Sequence, residues 1–390
     1  MPATATGSPR AQSGAALFVA AFIGAFLFGC ISAFWGLVVP TLEGSLGKEA
    51  VPNILLANSI GLVVGSLLVG PVIDRLGKKM ALSGGMLLVA AGVGGLGMVE
   101  TAAGAMAMAV MIGAGGSAIV TAANALISDI SEMRGTWLNL MNNAFAVGAA
   151  LAPIVISSMI ASGFQKVAWG LAGFAGLALI FYLTLRFPPP LAAGGGPRTS
   201  AGTLLGDPLL WVLAVMLFLY VGCEGTVWYW LNKYLVANLH YSASAAGFTV
   251  FLFAVGIIVG RAICSWLLMR MDALKLTLAA SLAIAVTYTG ILLVSDTNAV
   301  RVFVFLAGLS MAPLFPTILA ATGAAFSQAT GTAMGLVITG GWLGYVAIPP
   351  SIGRVSELHT GLFLASGAAV LMAVTNVVAL RLAAGRASGS

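Results

Sequence analysis

The stretch GPVIDRLGKKMAL, residues 70–82, sets Asp74, Arg75, Lys78 and Lys79 between two long apolar runs, 51–73 and 80–99. About 20 apolar residues in helical form cross a hydrocarbon core about 30 Å thick, so this pattern is that of two membrane-spanning helices meeting in a short charged loop. Its parts have separate tasks. Gly70 permits close helix approach, Asp74 can cap the next helix or pair with a cation, and Gly77 allows a tight turn. Arg75, Lys78 and Lys79 hold the loop at a membrane face, and fixing topology would by itself account for these positive charges.

Outward from this loop the pattern recurs. Apolar stretches lie near 15–40, 51–73, 80–99, 103–127, 137–160 and 167–186, and again near 208–236, 245–269, 276–294, 300–322, 332–352 and 360–381. They predict an all-α membrane protein of about twelve transmembrane helices joined by short loops. Composition agrees, with 60% hydrophobic and 7% charged residues, against about 25% charged in soluble domains. The polar segment 1–14 has no strongly basic region, and the apolar run after it is too long for a signal-peptide core, so it reads as the first span.

One long loop, RFPPPLAAGGGPRTSAGTLLGD (186–207), is rich in Pro, Gly and Ser and reads as an irregular linker. It divides the chain into an N-terminal six-helix bundle (1–186), a linker (187–206) and a C-terminal six-helix bundle (207–390). The halves repeat: Gly61, Gly65, Arg75 and Gly113 recur as Gly256, Gly260, Arg270 and Gly308 at an offset of 195, and Pro153 recurs as Pro349 after a one-residue slip. Two pseudo-symmetric bundles related by an axis along the membrane normal put a substrate site between them near the midplane, open to each side in turn.

Charge distribution orients the chain. With a cytoplasmic N-terminus the inner side receives Arg10, Arg75, Lys78, Lys79, Arg134, Arg186, Arg198, Arg270, Lys275, Arg381 and Arg386. The outer side receives Lys48, Lys166, Arg301 and Arg354, with Lys233 near its boundary, so both termini are expected to be cytoplasmic. The net charge of +6 is scattered among short loops rather than gathered in a patch, which argues against nucleic acid. Enzymatic readings find little support. His240 and His359 fall in outer loops without metal-ligand spacing, Cys30, Cys223 and Cys264 fall in spans, and no HExxH, CxxC or GxSxG motif is present. No metal and no cofactor is expected.

The G-x-x-x-D-R-x-G-K-K pattern of residues 70–79 resembles the signature of the major facilitator superfamily, and the resemblance covers nearly the whole chain. It implies that Asp74 pairs with Arg134, in SDISEMRGTW, to latch one bundle arrangement. VTAANAL (120–126), LNLMNNAFAVGAALAP (138–153), YVGCE (220–224), VGRAICSWLL (259–268) and MAPLFPT (311–317) are similar to the fucose, glucose and galactose permease branch of that superfamily. That implies a sugar:proton symporter. The chain departs from the branch at two places, because Gly36, ahead of Pro40, and Val120, ahead of Asn124, stand where the fucose carriers have carboxylates.

The remaining acidic group near the middle of a span is Glu224, in VGCEGTVWYWLNKYL (221–235). An ionisable residue at that depth is costly and marks an ion or substrate path, so Glu224 is the expected proton-coupling and substrate-binding residue. Tyr220, Trp228 and Asn232 share its helical face at four-residue spacing. An aromatic plane beside hydrogen-bonding groups suits a sugar, while Trp228, Tyr229 and Trp230 also fit an interfacial aromatic belt. Asn124, Asn142 and Asn143 are candidate cavity lining or interhelical glue, and Trp35 and Trp342 are candidate cavity or packing residues. Arg261 lies roughly 9 Å from Glu224 in depth; it can gate, snorkel, bind an anionic substrate or, with favourable tilt, reach the glutamate.

These readings predict a secondary active transporter moving a monosaccharide or sugar-like solute with protons by alternating access, its partners being that solute, protons and the lipid bilayer. It is expected as a monomer in a bacterial inner membrane. Two alternatives remain open: a proton-coupled exporter of amphipathic compounds, and a carrier-fold receptor without turnover.

Overall fold

The computed structural model describes residues 9–160, 163–189, 201–352, 355 and 357–389. All its regular elements are helices: α1 (Pro9–Leu46), α2 (Ala50–Leu76), α3 (Lys78–Leu96), α4 (Ala102–Ile130), α5 (Arg134–Ile160), α6 (Phe164–Thr184), α7 (Ala201–Leu205), α8 (Pro208–Ala237), α9 (Ala243–Leu267), α10 (Ala273–Leu293), α11 (Thr297–Met311), α12 (Leu314–Ala325), α13 (Thr330–Ile352) and α14 (Leu358–Gly389). Local chemistry sets several of the starts. The side chains of Thr101, Asp207, Ser242, Asp272 and Asp296 accept hydrogen bonds from first-turn amides of α4, α8, α9, α10 and α11, groups that no intrahelical carbonyl can satisfy.

Among the described residues, eleven segments are long and apolar enough to cross a membrane, α11 and α12 counting together as Thr297–Ala325. Helix α5, with 27 residues, is about 40 Å long at 1.5 Å per residue and is long enough to be the twelfth. Large apolar side chains such as Leu68, Leu177 and Val286 stand exposed on the helices, as a surface solvated by lipid tails requires.

Two expectations need correction. The tenth apolar stretch is not one continuous helix: it breaks at Ala312 and Pro313 into α11 and α12, because proline removes a backbone donor and crowds the preceding turn. The linker is not irregular to its end, since Ala201–Leu205 form the short helix α7. There Leu204 is buried and the indole of Trp211 donates to the Leu205 carbonyl at 2.7 Å. The centre of the linker, 190–200 with Arg198, and Arg354 lie outside the described residues.

Contacts gather the chain into two compact units. The first comprises the described residues of Met1–Glu132, Ala144–Arg198 and Gln328–Gly335, the second those of Met133–Asn143, Thr199–Ser327 and Leu336–Ser390. Inside the first, α2 and α4 touch backbone to backbone: a Cβ on Gly61 would strike the Val110 carbonyl oxygen, and one on Gly113 the Asn58 carbonyl oxygen. Inside the second, α9 and α11 repeat the arrangement, Gly256 against the Phe305 carbonyl and Gly308 against that of Phe253. These are the glycines related by the offset of 195, so the internal repeat is a repeat of one helix seam.

Candidate functional site

Helix α8 starts on the Asp207 cap with Pro208 in its first turn and runs for 30 residues. The four-residue stripe along it changes environment from end to end. Tyr220 is fully buried, Glu224 half-buried, Trp228 46% exposed and Asn232 exposed. The Trp228 ring packs edge-on with Phe253 of α9, centroids 5.3 Å apart. Asn232 therefore stands apart from the buried end of the stripe. Glycines flank Glu224 for a local reason: a Cβ at Gly225 would lie 2.9 Å from the Tyr345 ring, and Ile348 of α13 fills the space beside Gly222.

Three tyrosines feel the Glu224 charge: Tyr220 on its own helix, Tyr288 on α10 and Tyr345 on α13. Two have other contacts. The Tyr288 hydroxyl donates to the Cys223 carbonyl at 2.9 Å, and the Tyr345 ring packs against that of Tyr229, centroids 5.8 Å apart. The fully buried Tyr220 hydroxyl lies near both Glu224 and Arg261.

Arg261, on α9, is 4% exposed. Its Nη1 donates to the backbone carbonyl of Asn142 at 2.7 Å, and its Nε has no acceptor. No carboxylate lies within ion-pair distance of it among the described residues, so Arg261 and Glu224, expected to differ in depth by roughly 9 Å, do not pair. The Asn142 side chain turns onto its own helix, bonding the Leu138 carbonyl at 2.8 Å, so its main chain is what meets the arginine. Asn143, half-buried, leaves its Oδ1 unbonded.

This start of α5, itself part of the second unit, is fastened within that unit by side chains the sequence reading missed. Thr136 donates to the Ser265 carbonyl at 3.0 Å, and Asn139 Nδ2 to Thr317 Oγ1 at 3.3 Å. Their signal was legible as spacing, since 136, 139 and 143 share a helical face. In the first unit, Trp35 is buried with an unbonded Nε1, and Asn124 bonds the Val120 carbonyl at 2.8 Å with its Oδ1 unbonded. Trp342, in α13, is half-buried. Among the described residues no cluster of three acidic, His or Cys side chains is arranged to hold a metal.

The 70–82 loop has a definite geometry. Gly77 takes φ +89° between α2 and α3, a conformation that favours glycine. A Cβ at Gly70 would lie 2.8 Å from the Gly331 carbonyl oxygen and from Thr332 Cα, so α2 and the start of α13 touch there. Asp74 accepts from Gly331 N at 2.9 Å, Thr332 N at 2.8 Å and Thr332 Oγ1 at 2.6 Å. These donors, and not Arg134, are its partners; the first-turn amides of a helix have no intrahelical acceptor and carry the positive end of its dipole, so a carboxylate is well placed there. Lys78 is not a loop anchor at the surface but a buried side chain, its Nζ 2.6 Å from Asp129 at the end of α4. Lys79 donates to the Leu183 and Leu185 carbonyls at 2.7 and 2.9 Å, closing the C-terminal end of α6. Arg75 stays exposed.

Comparison with known proteins agrees with this architecture. The 3-(3-hydroxyphenyl)propionate transporter of Escherichia coli K12 is 27% identical over 343 residues, covering 81% of this chain and 80% of that one. The gentisate transporter of Corynebacterium glutamicum is 23% identical over 376 residues, covering 89% and 81%. A crystal structure of the E. coli fucose:proton symporter superposes with a TM-score of 0.81 at 16% identity, covering 94% of this chain and 99% of that one. The profile of the Major Facilitator Superfamily matches residues 17–349. The chain is thus an integral, multi-pass membrane transporter and not an enzyme, and it belongs to the Major Facilitator Superfamily.

Proposed function

We propose that this protein carries a small aromatic carboxylate across the membrane together with protons, with Arg261 holding the carboxylate and Glu224 carrying the proton. The single observation behind this reading is Arg261 itself: a 4% exposed cation with one carbonyl partner and an unbonded Nε. A buried charge without an opposite charge costs several kcal/mol, and an anionic solute removes that cost when it binds. A planar carboxylate fits the guanidinium fork, accepting two parallel hydrogen bonds. The names of the two relatives at 27% and 23% identity point the same way, for both solutes are aromatic carboxylates.

A neutral monosaccharide, expected from the aromatic stripe and the permease resemblance, brings no negative charge to offset that of Arg261. The likeness to the fucose symporter, at 16% identity, carries fold alone. The missing carboxylates at Gly36 and Val120 are consistent with a solute other than fucose, and leave Glu224 to couple protons. In this reading the carrier, with its six-helix bundles 1–186 and 207–390, works by alternating access, and Gly70, Asp74, Arg75, Gly77, Lys78 and Arg134 belong to the gate. Both termini are cytoplasmic, in a bacterial inner membrane, and the monomer is the working unit.

The test is transport in proteoliposomes with an imposed pH gradient, using gentisate, 3-(3-hydroxyphenyl)propionate, fucose and glucose. Gradient-driven movement of at least one aromatic acid is expected. Arg261→Met should abolish it, and Glu224→Gln should retain gentisate counterflow while losing the response to the gradient. Movement of a sugar by the wild type with no aromatic acid moved, or wild-type transport by Arg261→Met, refutes the reading.

A further inference from the structure

We infer that the hollow where α14 ends and α8 begins holds the headgroup of an anionic phospholipid, a phosphodiester such as that of phosphatidylglycerol. The hollow measures about 580 Å³, within the range of about 300–1,000 Å³ common to small-ligand sites. Its walls are Thr203, Gly206 and Asp207, where α7 turns into α8, and Arg381, Gly385 and Arg386 along one face of α14. Gly385 gives it room, since a Cβ there would meet nothing within 4 Å. The hollow shares no residue with the Arg261 and Glu224 site, so its occupant does not depend on the solute carried.

Depth selects a lipid. Helix α14 carries no charged residue from 360 to 380, about 30 Å of helix at 1.5 Å per residue, enough to fill the hydrocarbon core. Arg381 is therefore the first residue beyond that core, and Arg386 lies about 8 Å further out, at headgroup level. Trp211, in the first turn of α8, marks the same level: its ring is 49% exposed while its indole N–H is held by the Leu205 carbonyl, as suits an interfacial tryptophan. Charge then selects the headgroup. Asp207 is already engaged, its Oδ1 accepting from Leu209 N at 3.0 Å and its Oδ2 from Arg386. The Arg386 guanidinium, which also lies 5.1 Å from the centre of the Phe326 ring, is thereby fixed in place with donors to spare. Arg381 is exposed and has no ion-pair partner among the described residues. Two arginines against one aspartate leave the hollow a single positive charge, which a phosphodiester monoanion matches, its oxygens accepting from the guanidinium groups. A zwitterionic headgroup would bring an ammonium into the same space.

Native mass spectrometry of the delipidated full-length protein tests this, with phosphatidylglycerol and phosphatidylcholine of the same acyl chains offered together. The wild type should retain phosphatidylglycerol over phosphatidylcholine by about fivefold or more, the preference expected of one arginine at a membrane surface. Arg381→Gln should bring that ratio to within about twofold of one. So should Gly385→Phe, which fills the hollow without altering any charge. Arg186→Gln, which removes an exposed charge just beyond the end of α6, should keep the wild-type ratio. A wild-type ratio near one overturns the site, as does a ratio that survives Gly385→Phe or falls equally with Arg186→Gln, the mark of diffuse attraction. Displacement of phosphatidylglycerol by equimolar inorganic phosphate would make the hollow a site for free anions and overturns the lipid.

Discussion

Removing the Asp74 carboxylate should unfasten the start of α13 by a calculable amount. Its oxygens accept from Gly331 N, Thr332 N and Thr332 Oγ1 at 2.9, 2.8 and 2.6 Å. Both amides belong to the first turn of α13, where no carbonyl of that helix can reach them. Loss of a side-chain cap costs about 1–2 kcal/mol, and loss of a negative charge at a helix N-terminus adds about 0.3–1 kcal/mol. The threonine hydroxyl bond adds about 1 kcal/mol more. Because Asp74 is half-exposed, water replaces part of this, and about 2–3 kcal/mol is expected for Asp74→Ala. At 1.4 kcal/mol per factor of ten, local opening becomes roughly 30- to 150-fold more frequent. Hydrogen exchange of peptides spanning 328–335, measured by mass spectrometry, reads this opening directly. Asp74→Asn, which keeps one acceptor oxygen and loses the charge, should fall between Asp74→Ala and wild type, and Arg75→Ala, at an exposed side chain, should change little. Exchange in Asp74→Ala within about twofold of wild type would refute the capping argument.

Two further outcomes follow from the packing. Lys78→Met should destabilise the protein by about 2–3 kcal/mol, because Asp129, its side chain 23% exposed, is left without its ammonium. Adding Asp129→Leu should recover part of the loss, and additivity of the two substitutions in a thermal-unfolding cycle would count against a coupled pair. Gly113→Leu and Gly308→Leu should each abolish monodisperse protein in size-exclusion chromatography, since a side chain at either position meets backbone, whereas Gly84→Ala, where a Cβ meets nothing within 4 Å, should behave as wild type.

The sequence made the spans legible because a hydrocarbon solvent leaves few choices: backbone groups must be paired within helices, and apolar runs announce where. The repeat was legible in its glycines for the same reason, as only they allow two main chains to touch. The break between α11 and α12 was written in Pro313 and Pro316 but hidden by an unbroken apolar run. At the site, Glu224 and Tyr220 could be set on one face by spacing alone. What spacing cannot give is the arrangement across helices, so whether Arg261 reaches Glu224 stayed open until the structure showed it bonded to the Asn142 carbonyl instead. The partner of Asp74 was misjudged for a similar reason: backbone amides leave no mark in a sequence, and Gly331 and Thr332 are unremarkable letters. Lys78 read as a surface charge because its partner, Asp129, lies 51 positions away.

The seam of glycines in each unit also has a mechanical meaning. Where side chains interlock, a joint can yield by changing rotamers; where main chain lies on main chain, as at Gly113 on Asn58 and Gly308 on Phe253, there is nothing to re-pack. Helices α2 with α4, and α9 with α11, are therefore stiff struts whose separation is fixed by the width of a peptide plane. Residues that touch the cargo can be exchanged over evolution without disturbing them. These glycines are among the positions in the chain least able to accept a side chain.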